Sequence, residues 1–152
     1  MRRIIAFLIS ALFLGASFFV SVSATEVEGE VCVWVFEDGS YITESFSMNR
    51  SRASGTVSGS KTRNFFGSDG DLEWKVVLSG SFTYTGTSAT CTSSTCNVTI
   101  YDSNWYTVSK FSNKSGNTAT ASATIGEKLL GVTVRQVPVS LSISCDKDGN
   151  LS

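Results

Sequence analysis

Strict alternation of apolar and polar positions is the dominant pattern along the chain, and it is longest over residues 72–86. The even-numbered positions of this segment are apolar or glycine without a break, whereas the odd-numbered positions are mostly polar. A period of two puts one set of side chains on a buried face of a β-strand and the other set on a wet face. The pattern predicts one long scaffold strand, and Gly80 in the middle of its buried face predicts a bend through which the strand serves both sheets.

Other segments alternate in the same way between turns rich in Gly, Asn, Asp and Ser. Residues 31–36 are apolar on both faces, which predicts a strand covered on both sides, whereas residues 49–61 are weakly patterned and predict either a thin edge strand or a long loop. No helical period recurs after residue 24. About seven or eight strands with such turns predict an all-β fold, an antiparallel β-sandwich, with a barrel as the alternative.

The C-terminal segment changes its apolar phase between Val134 and Val137. Since a shift of one residue moves every side chain to the other face, a bulge near Arg135 and Gln136 is expected. Pro138 lacks a backbone donor and favours an edge strand or that bulge. Before it, residues 118–125 alternate small apolar residues with Thr and Ser, so their small face is expected to lie under bulky aromatic residues of the long strand.

Residues 1–24 have the features of a secretory signal. Arg2 and Arg3 precede an apolar run over residues 4–20, and small residues follow as far as Ala24. We expect an N-terminal signal helix that is cleaved near Ala24, giving a secreted, extracellular protein; an uncleaved membrane anchor is the alternative. Residues 25–30 are expected to form an acidic flexible lead-in, and residues 31–152 a single domain.

Composition narrows the chemistry that the protein is able to perform. The chain contains no histidine, which excludes histidine-dependent nucleophiles and zinc sites. Residues 25–152 hold ten basic and thirteen acidic residues, a net charge of −3, so no nucleic-acid partner is expected. Residues 68–71 and 146–150 suggest calcium ligands, but their spacing fits turns better. A hydrolase would need paired carboxylates, and those present lie in or beside turns, so we expect no enzyme, no cofactor and no metal.

Four cysteines follow the signal segment and fit disulfides of an oxidising compartment. They are Cys32, Cys91, Cys96 and Cys145. Four cysteines allow three connectivities, and the sequence does not choose among them. Cys91 and Cys96 are close enough along the chain to close a small ring, whereas Cys91 and Cys145 each end an alternating run and would join the two sheets.

Aromatic residues offer one candidate binding surface. Tyr101, Trp105 and Tyr106 flank a turn at residues 102–104, where they are expected to form an exposed patch able to stack on sugar rings. The alternative is that they close the end of the β-sandwich.

Several segments together resemble a family of small secreted proteins of Gram-positive bacteria that is known only as a domain of unknown function. They are GSYITES at residues 39–45, WKVVLSGSFTYTGTSATC at 74–91, DSNWYTVSK at 102–110, SGNTATA at 115–121 and SISCDKDGNLS at 142–152. The resemblance implies an exported bacterial β-sandwich. Because Cys91 and Cys145 lie inside these segments, it also favours their pairing, but it implies no activity and no ligand.

The sequence thus favours a secreted, non-enzymatic protein that binds an extracellular protein or glycan. Small size, secretion and amphipathic strands also fit a bacteriocin-like, membrane-active toxin, and a dedicated glycan-binding module is a third possibility. Apart from that toxin, the only membrane contact expected is through the signal segment.

Overall fold

The computed structural model describes residues 29–50 and 55–152, and the predicted signal helix lies outside them. Most of the predicted acidic lead-in lies outside them as well. Eight strands are present in these two described ranges: β1 Val31–Val35, β2 Tyr41–Arg50, β3 Thr56–Phe66, β4 Leu72–Tyr84, β5 Ala89–Ile100, β6 Trp105–Ser115, β7 Thr118–Leu129 and β8 Val132–Ser144. No helix occurs among the described residues, and none there is long and apolar enough to cross a membrane.

The strands form two antiparallel sheets in simple chain order. Strands β1 to β5 make a large sheet and β6 to β8 a small sheet, each strand pairing with its neighbour in sequence. The chain passes from one sheet to the other only between β5 and β6. The predicted all-β fold is therefore confirmed as two antiparallel sheets, and the described strands do not close into a barrel.

The core lies between the inner faces of the two sheets, and it follows the alternation of the sequence. The large sheet contributes Phe65, Trp74, Val76, Leu78 and Phe82, all nearly or fully buried. The small sheet contributes Ala119, Ala121, Ala123, Ile125, Val137, Val139, Leu141 and Ile143. The small side chains of β7 face the bulky side chains of β4, as their pattern predicts, because close packing needs the volumes to complement each other.

Gly80 lies on the inner face of β4, but the prediction that the strand serves both sheets is wrong. Strand β4 pairs with β3 and β5 along its whole length and belongs to the large sheet alone. A Cβ atom on Gly80 would lie 2.9 Å from Cε2 of Phe82 and 3.0 Å from Cβ of Ala119. The glycine therefore allows the two sheets to approach closely at this point.

Two predictions about the first half of the large sheet are also wrong. All five residues of β1 are exposed, so this strand is not covered on both faces: it is the outermost strand of the larger sheet. The weakly patterned segment, residues 49–61, ends in β3. This strand is the central strand of the large sheet rather than an edge strand or a loop. Its polar side chains are tolerated because only part of its inner face is covered.

The phase change in β8 is confirmed as a bulge. Glu127 pairs with Arg135, whereas the next residue of β7 pairs with Thr133, so Val134 is the extra residue. Val137 and the alternate residues after it then point into the core. Strand β8 is the edge of the small sheet, the position that Pro138 requires.

The two sides of the molecule are closed differently. Beside β5 and β6, polar side chains bind backbone carbonyls of the opposite sheet: Ser112 Oγ lies 3.2 Å from the oxygen of Ser94, and Lys114 Nζ lies 2.8 Å from that of Thr92. Beside β1 and β8, no side chain of the described residues is seen to donate in this way to a backbone carbonyl of the opposite sheet. That side of the molecule is open.

Candidate ligand-binding groove

The open side forms a groove on the inner face of the large sheet. Strand β8 approaches β3 and β4, while no strand of the small sheet approaches β1 or β2 closely in the described part of the chain. The inner face of β1 to β3 therefore extends beyond the cover. We call this uncovered strip, between the edges of β1 and β8, the groove.

One half of the groove is mainly apolar and has a volume of about 750 Å³. Trp34 and Val35 remain 62% and 65% exposed there, whereas Ile42 behind them is buried. The remaining lining residues are Val33, Phe36, Glu37, Arg63, Arg135, Gln136, Val137 and Pro138. Concave apolar sites with a few polar groups are the usual form of a binding site.

Charged side chains lie on the inner face of the same strands, where a core would ordinarily be. Glu44 of β2 accepts a hydrogen bond of 2.8 Å from Arg63 Nε, and Lys61 Nζ lies 3.8 Å from the same carboxylate. The three side chains are about a quarter exposed. One carboxylate thus faces two cations, and this ionic cluster carries an excess positive charge.

Beyond the ionic cluster the groove becomes a second hollow near the C-terminus. Val31 and Phe46 line it together with Leu151 and Ser152. The C-terminal residues are fixed because the N–H of Ser152 donates to Ser144, and its carbonyl accepts from the N–H of Ser144. Gly59 provides the space for Leu151, whose Cδ1 lies 2.7 Å from where a Cβ atom would be.

Arg135 closes the other end of the groove. Its guanidinium carbon lies 4.3 Å from the ring centroid of Phe36, and its Nη1 lies 2.9 Å from Oδ2 of Asp38. Nη2 donates to Ser40 Oγ at 3.2 Å. A planar, always charged guanidinium stacks on an aromatic ring and pairs with a carboxylate at once. Arg135 therefore ties the edge of the small sheet to the β1–β2 turn.

Asp38 is the acceptor at the centre of this contact. Hydrogen bonds from the side chain and backbone of Ser40 hold the pKa of the Asp38 carboxyl below its usual range, and the charge of Arg135 adds to the effect. The ionised form is therefore favoured in the folded protein. Asp38 and Ser40 also define the turn, since Asp38 Oδ1 accepts the Ser40 N–H.

The predicted aromatic patch is wrong for Trp105. Trp105 is only 5% exposed and packs its ring 4.9 Å from that of Phe65 in the core. Tyr101 is exposed, whereas Tyr106 is half-buried, with its hydroxyl 2.7 Å from Thr133 Oγ1. The three residues do not form one exposed surface, because the side chains of Trp105 and Tyr106 point to opposite faces of β6.

The four cysteines are free in the structure, and two disulfides are incompatible with it. Cys91 and Cys96 lie on one continuous strand, roughly 16 Å apart. Cys32 lies on β1 and Cys96 on β5, the opposite edges of the large sheet, about 19 Å apart at the usual strand spacing. A disulfide needs Cα atoms within about 7 Å, so the predicted small ring is wrong.

Acidic side chains elsewhere accept hydrogen bonds from backbone N–H groups within turns. Asp146 Oδ1 accepts the N–H groups of Asp148 and Asn150, and Asp69 Oδ1 accepts that of Asp71. Burial raises the pKa of Glu73 despite a hydrogen bond from Trp105. No group of three or more potential metal ligands occurs among the described residues.

The groove residues Trp34, Arg63 and Arg135 were not predicted from the sequence. A signal for Trp34 was present, because residues 31–36 are apolar on both faces and a strand of this kind needs cover on both sides. Nothing in the sequence shows that the small sheet has only three strands. That number decides which inner face stays open.

Comparison with known proteins gives no relative: no family model, no curated protein and no solved structure matches the chain. The resemblance to a secreted bacterial family therefore stays a prediction.

Stability should depend on the ionisation of Asp38. Because the pKa of Asp38 is lowered on folding, its contribution is present above the unfolded-state value of about 3.9 and is lost as pH falls through the folded-state value. We predict that D38N is less stable than the parent at pH 6 and that the difference shrinks as pH falls below the unfolded-state value.

Urea unfolding across this pH range measures the effect. E37Q is the matched control, because it removes a neighbouring charge without touching the contact with Arg135. A constant difference between D38N and the parent from pH 6 to pH 2 would contradict the assignment.

Proposed function

We propose that the protein is a secreted, non-enzymatic binding protein that takes an extended segment of a partner protein into the groove. The observation that carries the proposal is the free edge of β1 beside an uncovered apolar face. Secretion is inferred from the basic start and apolar run of residues 1–24.

The edge of β1 supports a strand-like ligand. Strand β1 pairs with β2 on one side only, so alternate N–H and C=O groups on its other side have no strand partner among the described residues. Extended peptides bind such edges through backbone hydrogen bonds, and alternate side chains then enter pockets that provide specificity. Natural proteins usually protect an edge with charge or proline, whereas β1 has the sequence VCVWV.

The ionic cluster supports an acidic position in that ligand. Lys61 and Arg63 share the single carboxylate of Glu44, and they lie beside the apolar half of the groove. An acidic side chain of the ligand would complete the pairing of these two cations, and partly buried charge pairs contribute strongly to specificity. The best ligand is thus an extended segment with apolar residues near Trp34 and an acidic residue near Lys61.

A glycan ligand is less well supported by the groove. The exposed ring of Trp34 would stack on a sugar, but the walls around it are mainly aliphatic and aromatic. Sugars need several hydrogen-bonding side chains around the stacking ring, since each buried hydroxyl requires a partner. Tyr101, the exposed member of the predicted aromatic patch, lies outside the groove lining.

Selection from a phage-displayed library of linear random peptides tests the proposal. We expect enriched peptides to contain alternating apolar residues and an acidic residue, and W34A to weaken their binding by about tenfold or more. The matched control is Y101A, which removes an exposed aromatic ring outside the groove. Methylation of every second backbone nitrogen gives two versions of the peptide, one for each set of alternate residues. Only one set donates hydrogen bonds to β1, so only one of the two methylated peptides should lose binding.

The charge of the groove is tested with the same peptides. K61E is preferred because the closer pair of Glu44 and Arg63 stays intact, and K75E on the outer face is its control. K61E should weaken binding of the acidic peptides, and K75E should not. Peptides that bind W34A and the parent equally, or a library without binders, would contradict the proposal; so would a glycan array on which W34A loses binding.

A second candidate function, contact with a membrane, is favoured by the β7–β8 hairpin tip. Leu130 is 97% exposed at the turn, and Leu129, Val132 and Val134 beside it are more than half exposed. Contiguous exposed apolar residues on a small protein usually meet a partner or a lipid surface. This hairpin tip agrees with the membrane-active alternative that the sequence suggests.

The backbone at the tip strengthens this candidate. Leu130 has a φ of 51° and Gly131 a φ of 81°, the left-handed conformation that two-residue hairpins require. Asn is strongly preferred at the first of these positions, and a leucine there costs about 1 kcal/mol. A leucine that strains the turn and is almost fully exposed contributes little to folding, which favours a role in contact.

The substitution L130N separates folding from function. We predict that L130N raises the unfolding temperature, because Asn-Gly suits the turn, and lowers flotation with phosphatidylglycerol vesicles by about tenfold. V33N, which alters an exposed apolar residue of β1, is the control. Equal flotation of L130N and the parent would exclude the tip, and dye release from the vesicles would distinguish a toxin from a protein that only docks.

A further inference from the structure

Cys91 and Cys145 lie together at one end of the molecule, on opposite sheets. The N–H of Cys91 donates to the carbonyl of Gly116 at 2.8 Å, and the N–H of Cys145 donates to that of Asn117 at 3.0 Å. Residues 116 and 117 are consecutive and form the β6–β7 turn. Two backbones bound to adjacent carbonyls of one tight turn are close neighbours in space.

Both side chains point into the core from these positions. Cys91 is 5% exposed and Cys145 is fully buried, and both belong to the one cluster of buried residues between the sheets. Cys91 lies beside Phe82 in the pairing of β4 and β5, whose inner face is opposite the small sheet. The two thiols therefore approach each other from the two layers.

The other two cysteines are excluded as partners by their places in the fold. Cys32 is on the far edge of the large sheet, pairs with Thr43 and is exposed. Cys96 lies about five residues along β5 from Cys91, where its sulfur accepts a hydrogen bond from the backbone of Phe111. Thus only one of the possible cysteine pairs is compatible with the folded structure.

We propose that Cys91 and Cys145 form a disulfide that joins the two sheets when the chain folds in the presence of an oxidising disulfide. One cysteine thiolate attacks the oxidant, for which oxidised glutathione serves, forming a mixed disulfide and releasing one glutathione thiolate. The second cysteine thiolate attacks the protein sulfur of that mixed disulfide and releases the other glutathione. Two thiols are oxidised to one S–S bond, their two protons pass to the two glutathione thiolates that leave, and oxidised glutathione is thereby reduced to two molecules of glutathione.

The timing of this reaction follows from burial. Burial raises the pKa of both thiols, and for Cys145 the neighbouring charges of Asp146 and Cys91 raise it further. Since the thiolate is the reactive form, both cysteines react slowly once the chain has folded. Oxidation therefore accompanies folding, and the finished bond is shielded from reductants.

Refolding of C32S/C96S from urea with a glutathione redox buffer tests the proposal. Cys91 and Cys145 are then the only thiols. We expect the intact mass to fall by about 2 Da, with no glutathione covalently attached to the protein. Non-reducing peptide mapping should link Cys91 to Cys145. The closed loop is long, so the oxidised form should unfold about 10 °C higher than the same protein after reduction.

One further variant and the parent chain keep the test decisive. C91S/C145S is the matched control for lost thiols: it should fold with the same circular dichroism spectrum and show no change of unfolding temperature between redox buffers. In the parent chain, peptide mapping should leave Cys32 and Cys96 as free thiols. A folded C32S/C96S that keeps two free thiols after oxidative refolding would overturn the proposal, as would a bond between Cys91 and Cys96 in the parent.

Discussion

The described structure depends on a difference in size between its two sheets. The three strands of the small sheet must cover the inner face of the large sheet, which has five strands. The small sheet packs against β4 and β5, and β4 buries the large side chains of Trp74 and Phe82. Burial of apolar area is the main source of folding free energy, so the core forms where both layers overlap. The inner face of β1 to β3 stays partly open, and the groove is the direct consequence.

The two sides of the molecule show how this mismatch is stabilised. At β5 and β6, the hydrogen bonds of Ser112 and Lys114 to the opposite sheet satisfy backbone carbonyls and leave no room for a ligand. At β1 and β8, Arg135 joins the sheets through Phe36 and Asp38. One closed side and one open side give the molecule a concave apolar face, with the ionic cluster at its centre.

Much of the fold was predictable from the sequence, because a period of two reports directly on burial. The long strand, the small face of β7 and the phase change in β8 were all predicted, the last to within a residue of the bulge at Val134. The place of β4 in the large sheet alone was not predicted, since a glycine that permits close packing and a glycine through which a strand crosses between sheets look alike in sequence. Trp105 was misplaced for a related reason: alternation gives two faces but does not say which of them faces the core.

The candidate site was less predictable because it depends on tertiary arrangement. The sequence of β1 contains the apolar residues of the groove, but their exposure depends on how far the small sheet extends. The inward charges of Lys61 and Arg63 look like ordinary surface residues until β2 places Glu44 beside them. The possible cysteine pairings also cannot be distinguished from the sequence, since only the fold shows that Cys91 and Cys96 share one strand.

Hydrogen–deuterium exchange of the β1 amides, with and without a selected peptide, tests the central claim most directly. In the free protein, the N–H groups on the open edge of β1 should exchange quickly, because no neighbouring strand protects them. With the peptide bound, alternate amides of β1 should become protected, while those of the β7–β8 hairpin tip keep their rates. Protection confined to the tip, or unchanged exchange along β1 at saturating peptide, would contradict the account.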